Sequence, residues 1–201
     1  MTSVHNVLAI NGSYRDDGIT DQAVEAALAA AAEAGAEVEH VRLREFPIEF
    51  CLNCRACTQE PGDAPGKCVH DDRMHDLVQK IEKADAYVLA APTNFGSATA
   101  IFKRFMERLT VYAYWPWGAL GPVYRKAKGP QKKVLMLSSC AAPGFFGRYL
   151  YKSHSQLKMA ARAIGAKPVG TVFTGMISSS SDLPLPDKER RKIQLMANEL
   201  V

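Results

Sequence analysis

A chain of 201 residues and 22.0 kDa has the length of one domain with a closed hydrophobic core, and a single domain is expected over residues 1–201. With 47% apolar and 23% charged residues and no low-complexity tract, the composition excludes a disordered or fibrous protein. No stretch approaches the roughly 18 apolar residues of a membrane helix, and the first ten residues read as a strand rather than a signal peptide, so a cytoplasmic protein with no membrane partner is expected.

Charge is unevenly spread. Residues 1–100 hold 8 basic and 16 acidic residues and residues 101–201 hold 17 and 5, so the halves carry −8 and +12 within a net +4. The densest basic run, Arg125, Lys126, Lys128, Lys132 and Lys133, reads as solvated loop surface, with a phosphate-bearing ligand or an acidic protein as the alternative. It lacks the interleaved aromatics of a nucleic-acid platform, so no nucleic acid is expected.

In chain order, Val4–Ile10 is an apolar run closed by Asn11 and Gly12, the pattern of a strand buried on both faces. Thr20 or Asp21 can cap an Ala-rich helix to about Ala34, and Glu37–Leu43 alternates as a second strand. Asp71 or Asp72 can cap a helix carrying Leu77, Val78 and Ile81, followed by a third strand over Ala86–Ala91. Further elements are a helix from Thr99 to Val111, a strand over Lys133–Ser139, one long helix from Arg148 to Ile164, a strand over Lys167–Phe173 and a last helix over 187–200. Five strands alternating with helices imply an α/β, doubly wound parallel sheet with helices on both faces, whose ligands sit outside the carboxyl ends of the strands.

The strand ends supply candidates. Ser13, Arg15, Gly18 and Thr20 lie between a strand and a helix N-terminus, where free amides and the helix dipole favour an anion. That loop lacks both the dinucleotide G-x-G-x-x-G and the Walker lysine, and its hydroxyls suit a singly esterified phosphate. Pro92-Thr93-Asn94-Phe95-Gly96-Ser97 after the third strand suits a flat heteroaromatic ring, and Ser138–Gly144 after the fourth is small enough for close approach. Two connections, 44–70 and 112–132, exceed plain turns. The second holds Tyr112, Tyr114, Trp115 and Trp117, read as a subunit interface in preference to a cap over the site.

G-S-x-R-x-x-G-x-T from Gly12, D-D-x-M from Asp71, and A-D-x-x-x-x-A-x-P-x-x-F-G-S-x-x-A-x-x-K-x-F-x-E-R across Ala84–Arg108 resemble the NADPH-dependent FMN reductase family of flavodoxin-like proteins. The resemblance covers residues 4–175 and implies strand order 2-1-3-4-5. It also implies that Ser13, Arg15, Gly18, Ile19 and Thr20 hold the FMN phosphate. By the same resemblance Pro92, Thr93, Asn94, Phe95, Gly96 and Ser97 border the isoalloxazine, and Ser139, Cys140 and Gly144 form a third wall. NAD(P)H would then reduce the flavin and leave, and a small acceptor such as a quinone, a flavin, an azo compound or a metal oxyanion would follow it. His70, His75 and His154 stand in no recognisable triad, and no catalytic acid or base is assigned. A homodimer or homotetramer is expected.

Cys51, Cys54 and Cys57 form C-x2-C-x2-C, with Cys68 following. Such spacing in a cytosolic chain suggests metal or redox chemistry rather than a structural disulfide. Unliganded thiols at a subunit interface are placed ahead of a 4Fe-4S cluster, and both ahead of zinc or a regulatory disulfide. The cluster reading rests on resemblance to iron–sulfur flavoproteins of this fold, and it brings ferredoxin in as partner. The remaining alternative is a non-enzymatic electron carrier, whose usual acidic surface the basic second half does not offer.

Overall fold

The computed structural model describes residues 5–180 and 182–201; Val4, the expected start of the first strand, lies outside them. The elements run β1 (Asn6–Asn11), α1 (Ile19–Glu33), β2 (Glu37–Arg42), α2 (Met74–Lys83), β3 (Ala86–Ala90), β4 (Thr93–Asn94), β5 (Ser97–Ala98) and α3 (Ala100–Arg108). They continue with β6 (Ala113–Tyr114), β7 (Val123–Tyr124), β8 (Lys132–Ser139), α4 (Gly144–Leu150), α5 (Ser153–Ala163), β9 (Ala166–Thr174) and α6 (Asp187–Asn198). Five parallel strands form the main sheet in the order β2-β1-β3-β8-β9, which is the expected 2-1-3-4-5 once the two small hairpins β4–β5 and β6–β7 are set aside.

The strands are apolar on both faces because both are covered. Leu8, Ile10, Tyr87, Leu89 and Met136 point into a core shared with Leu77 and Ile81 of α2, Phe102 and Phe105 of α3 and Leu157 of α5. Their neighbours Val7, Ala9, Val88, Leu135 and Leu137 point the other way, against α1 and Ile193 and Ala197 of α6. This two-residue alternation between cores is the strand period itself. The Ala-rich face of α1 (Ala23, Ala27, Ala31) lets the helix approach the sheet closely.

Four local expectations need correction. The helix after β1 starts at Ile19 with Gly18 at its cap position, so neither Thr20 nor Asp21 caps it; both lie in its first turn, buried, and their side chains are spent elsewhere. The stretch 148–164 is two helices: Tyr151 is extended, which lets the Lys152 amide donate to Gly96 O at 2.8 Å and turns Ser153 and Gln156 toward the β4–β5 hairpin. The helix from residue 99 ends at Arg108 and continues as a 3-10 turn over Leu109–Tyr112.

The fourth concerns the basic run: Lys128 and Lys133 are exposed as expected, whereas Arg125 is buried and the partly exposed Lys126 and Lys132 are already paired. Arg125 is 7% exposed and donates to the carbonyls of Val111, Gly62 and Cys57 at 2.9–3.2 Å. Lys126 pairs with Glu82 at 2.6 Å. Lys132 Nζ caps the end of α2 at the carbonyls of Ile81, Glu82 and Ala84. Buried carbonyls at a helix end need donors, and these side chains supply them.

Candidate functional site

One surface groove, about 530 Å³, lies between the edge strand β2 and α2 and is lined by charged side chains including Glu37, Glu39, Lys80 and Lys83 at the amino ends of the strands. Ligands of this architecture bind at the carboxyl ends, where a second cleft of about 190 Å³ opens. Ser13, Arg15, Gly18, Ile19, Thr20, Pro92, Asn94 and Ser139 all border this second cleft.

The loop after β1 is shaped from within. Asn11, 1% exposed, accepts the Ser13 amide on its Oδ1 at 2.9 Å and donates from Nδ2 to Asp21 at 2.7 Å. Ser13 Oγ accepts the Arg15 amide at 3.2 Å, and the Asp17 amide donates to Asp21. The Asp16 carboxylate, which would oppose an anion, is neutralised by Arg44, whose other nitrogen holds Tyr14 O at 3.2 Å. Directly beyond this loop, the first-turn amides of α1 have no acceptor within the helix. Thr20 Oγ1 and Ser139 Oγ meet at 2.7 Å, joining the first turn of α1 to the end of β8.

The rest of the ring-binding set is divided. Thr93 bonds to Ser153 at 2.8 Å and Ser97 to Gln156 at 3.0 Å, so both hydroxyls face α5. Phe95 stands fully exposed at the hairpin tip with φ 51°, beside Gly96 at φ 74°. Cys140 is buried, its thiol donating to Ala142 O at 3.2 Å and raised in pKa by that burial. Gly144 begins α4, where a Cβ would meet Phe173 O at 2.4 Å, so its role there is backbone packing. In their place the cleft gains Tyr14, Thr99, Ile177, Ser180 and Leu183. Thr99 donates to Gly12 O at 2.6 Å, and Gln22 straps the last segment down by bonding Leu183 O and the Leu185 amide. Tyr14 lay inside the recognised loop and was within reach of sequence reasoning; residues 177–183 carry no local signal.

The residues fit FMN on three grounds: first-turn amides of α1 that have no acceptor within the helix, a buried pair of hydroxyls beside them, and apolar Ile19, Pro92, Ile177 and Leu183 lining the remaining wall.

The four cysteines form a second site. Cys51, Cys54, Cys57 and Cys68 line one small cavity with His70, Thr110 and Arg55. Left-handed turns at Asn53 (φ 51°) and Arg55 (φ 60°) fold the C-x2-C-x2-C run inward, and the Asn53 amide donates to Cys51 Sγ at 3.4 Å. Burial, with the neighbouring Cys68, Cys51 and Cys54, pushes the Cys57 thiol up to about 11. Arg108 Nη2 lies 3.5 Å from Cys68 Sγ. Arg55 is sandwiched between the rings of Trp115 and Trp117, 3.8 and 4.2 Å from their centres, while Tyr112 is buried in the core. The aromatic connection thus braces the cysteine loop. Among the described residues, the three-residue group of potential metal ligands within 4.8 Å of one another is Asp21, Glu25 and His40, where Arg42 already supplies the cation. No three of the cysteine sulfurs all lie within that distance of one another. A single zinc with 2.3 Å bonds to sulfur needs them roughly 3.8 Å apart.

Comparison with known proteins bears on both sites. An iron–sulfur flavoprotein of Methanocaldococcus jannaschii is 35% identical over 102 residues, 51% of this chain and 50% of that one. Another, of Archaeoglobus fulgidus, is 34% identical over 109 residues, 54% and 47% of the two chains. The matches thus span about half the length of these curated relatives. Among solved structures, an azoreductase from Bacillus anthracis superposes with TM-score 0.72 at 14% identity, covering 98% of this chain and 100% of that one. An NAD(P)H:quinone oxidoreductase from Methanothermobacter marburgensis gives 0.65 at 20%, covering 98% and 94%. Both likenesses establish the flavodoxin-like fold. The sequence profile described as NADPH-dependent FMN reductase matches residues 5–176, and with that match the chain belongs to this family.

Proposed function

We propose that this protein is an FMN-dependent oxidoreductase that also carries a cysteine-ligated iron–sulfur cluster and exchanges electrons between the two sites. The observation that carries the reading is the convergence of Cys51, Cys54, Cys57 and Cys68 on one cavity. Bound FMN would supply hydride and single-electron chemistry at its ring, and a cluster would supply single-electron transfer. The names of the relatives of M. jannaschii and A. fulgidus support this reading.

The chain's own contribution is binding and exclusion of water. Thr20, Ser139, the first-turn amides of α1 and Arg15 would hold a phosphate monoester, with the charge of Asp16 offset by its ion pair with Arg44. Pro92, Asn94 and Thr99 would border the ring, and Ile177 and Leu183 would keep water from it. Arg125 and Arg55 hold the backbone that presents the thiols. Ferredoxin would be the protein partner, and the exposed Phe145, Phe146, Tyr149 and Leu150 of α4 support a homodimer or homotetramer. No helix among the described residues is long and apolar enough to cross a membrane, and a cytoplasmic location is part of the proposal.

The test is anaerobic purification with iron, acid-labile sulfide and flavin assayed on one sample. About four irons and one FMN per chain are expected; FMN without iron overturns the cluster. The family match favours a second reading, in which NAD(P)H reduces the flavin for a small acceptor such as a quinone, a flavin, an azo compound or a metal oxyanion. Rapid anaerobic bleaching of iron-free, FMN-loaded protein by NADPH or NADH would establish it, and the absence of bleaching by either would exclude it.

A further inference from the structure

Arg108 is among the most enclosed charged side chains in the described protein, at 2% exposure. Its Nη1 donates to Glu49 O at 2.8 Å and to Asp72 at 2.6 Å; its Nη2 donates to Asp72 at 3.0 Å and to Cys68 Sγ at 3.5 Å. Asp72 in turn accepts the amides of Glu49 and Met74, which ties the cysteine loop to the head of α2. A buried ion pair is costly to desolvate and contributes little net stability over an apolar replacement. Here the cation is aimed at a thiol, with its counter-ion behind it.

From this arrangement we infer that Arg108 is a positioning residue that sets the charge felt at the four-cysteine site, raising the reduction potential of the cluster held there, and that Asp72 moderates that rise. The inference rests on the cluster reading above. Thiolate ligands bring negative charge into a poorly solvated cavity, and each electron taken up adds one more negative charge. A guanidinium N–H on a ligand sulfur draws electron density from it and favours the reduced state, as hydrogen bonds and nearby charge do at such centres generally. The Arg55 cation also borders the cavity, but its hydrogen bonds go to Trp115 O and Pro116 O and not to sulfur.

The two members of the pair act with opposite sign. Without Arg108, the Asp72 carboxylate faces the site unopposed and the potential falls. Without the charge of Asp72, Arg108 is unopposed and the potential rises. A clamp that only held the loop together would give the same kind of loss from either change.

The experiment is a redox titration, followed by electron paramagnetic resonance, of anaerobically purified wild-type protein and the variants Arg108→Gln, Arg108→Lys and Asp72→Asn, each first assayed for iron and sulfide. Asn at 72 keeps an acceptor oxygen for the amides it serves. The expected result is a lower potential in Arg108→Gln, a smaller downward shift in Arg108→Lys and a higher potential in Asp72→Asn. Wild-type protein without iron overturns the cluster reading itself. Iron-replete variants whose potentials do not move, or move the same way, overturn the role of Arg108 alone. If Arg108→Gln fails to fold or to hold iron, Asp72→Asn decides by itself: an upward shift supports the inference, and no shift or a downward one ends it.

Discussion

The hydroxyls of Thr20 and Ser139 lie 2.7 Å apart, joining the first turn of α1 to the end of β8 across the mouth of the cleft. Both residues are buried, so each hydroxyl depends on the other until a ligand oxygen joins them. Thr20→Val removes one donor at equal volume and leaves Ser139 short of a partner. A hydrogen bond to a charged group contributes about 1.5–3 kcal/mol, so FMN should bind roughly 10- to 100-fold more weakly. Flavin fluorescence titration measures this; unchanged affinity would remove Thr20 from the phosphate site.

Arg125 should be the main fastening of the cysteine loop. Its three carbonyl acceptors come from two distant segments, and Arg125→Met would strand all three, at a cost of about 2–4 kcal/mol. Urea unfolding reads the loss. Arg125→Lys should recover little of it, because one ammonium cannot span three acceptors set for a planar fork.

Thiol reactivity should follow burial along the loop. In metal-free protein at pH 7.5, exposed Cys54 should be alkylated first. Cys57, pushed from 9.0 to about 11, should have roughly a hundredfold smaller thiolate fraction than an unperturbed thiol and be modified last of the four. Mass spectrometry of iodoacetamide-treated samples gives the order, and Cys57 reacting ahead of Cys54 would contradict the packing described.

Acid should weaken the fold through His40. Its Nδ1 lies 2.9 Å from Glu25 and its Nε2 3.3 Å from Asn11 Nδ2, an arrangement that a neutral ring with its proton on Nδ1 satisfies. Burial, and then Arg42, hold its pKa below the usual 6.5 against the pull of Glu25 and Asp21. Below pH 6.5 the unfolded chain therefore takes up a proton that the folded one resists, and stability falls as pH drops. His154, lowered by burial and by Lys158 and Arg148, adds to the same slope. The unfolding free energy should drop less between pH 7.5 and 5.5 in His40→Gln than in wild type; equal drops would disprove the role of His40.

The sheet was legible because both faces are covered, so each strand appears as an unbroken apolar run such as Val7–Ile10 or Val134–Leu137. The helix break at Tyr151 was not, since what stabilises it is the Gly96 carbonyl, more than fifty residues away. The basic run misled for a related reason: a charge count cannot show that Arg125 and Lys132 close over backbone carbonyls. Likewise Ile177 and Leu183 reach the cleft only because Gln22 holds their segment there. The four cysteines were visible as a spacing, and their convergence came from left-handed turns at Asn53 and Arg55 that no propensity announces.

Asn11 serves two structures with one side chain. Its carbonyl oxygen fixes the Ser13 amide, and its amide nitrogen reaches Asp21 and, on the edge strand β2, His40. The anion-binding loop and the edge of the sheet therefore cannot loosen independently. A ligand that quiets the loop should also slow hydrogen exchange along Glu37–Arg42, where no ligand atom arrives.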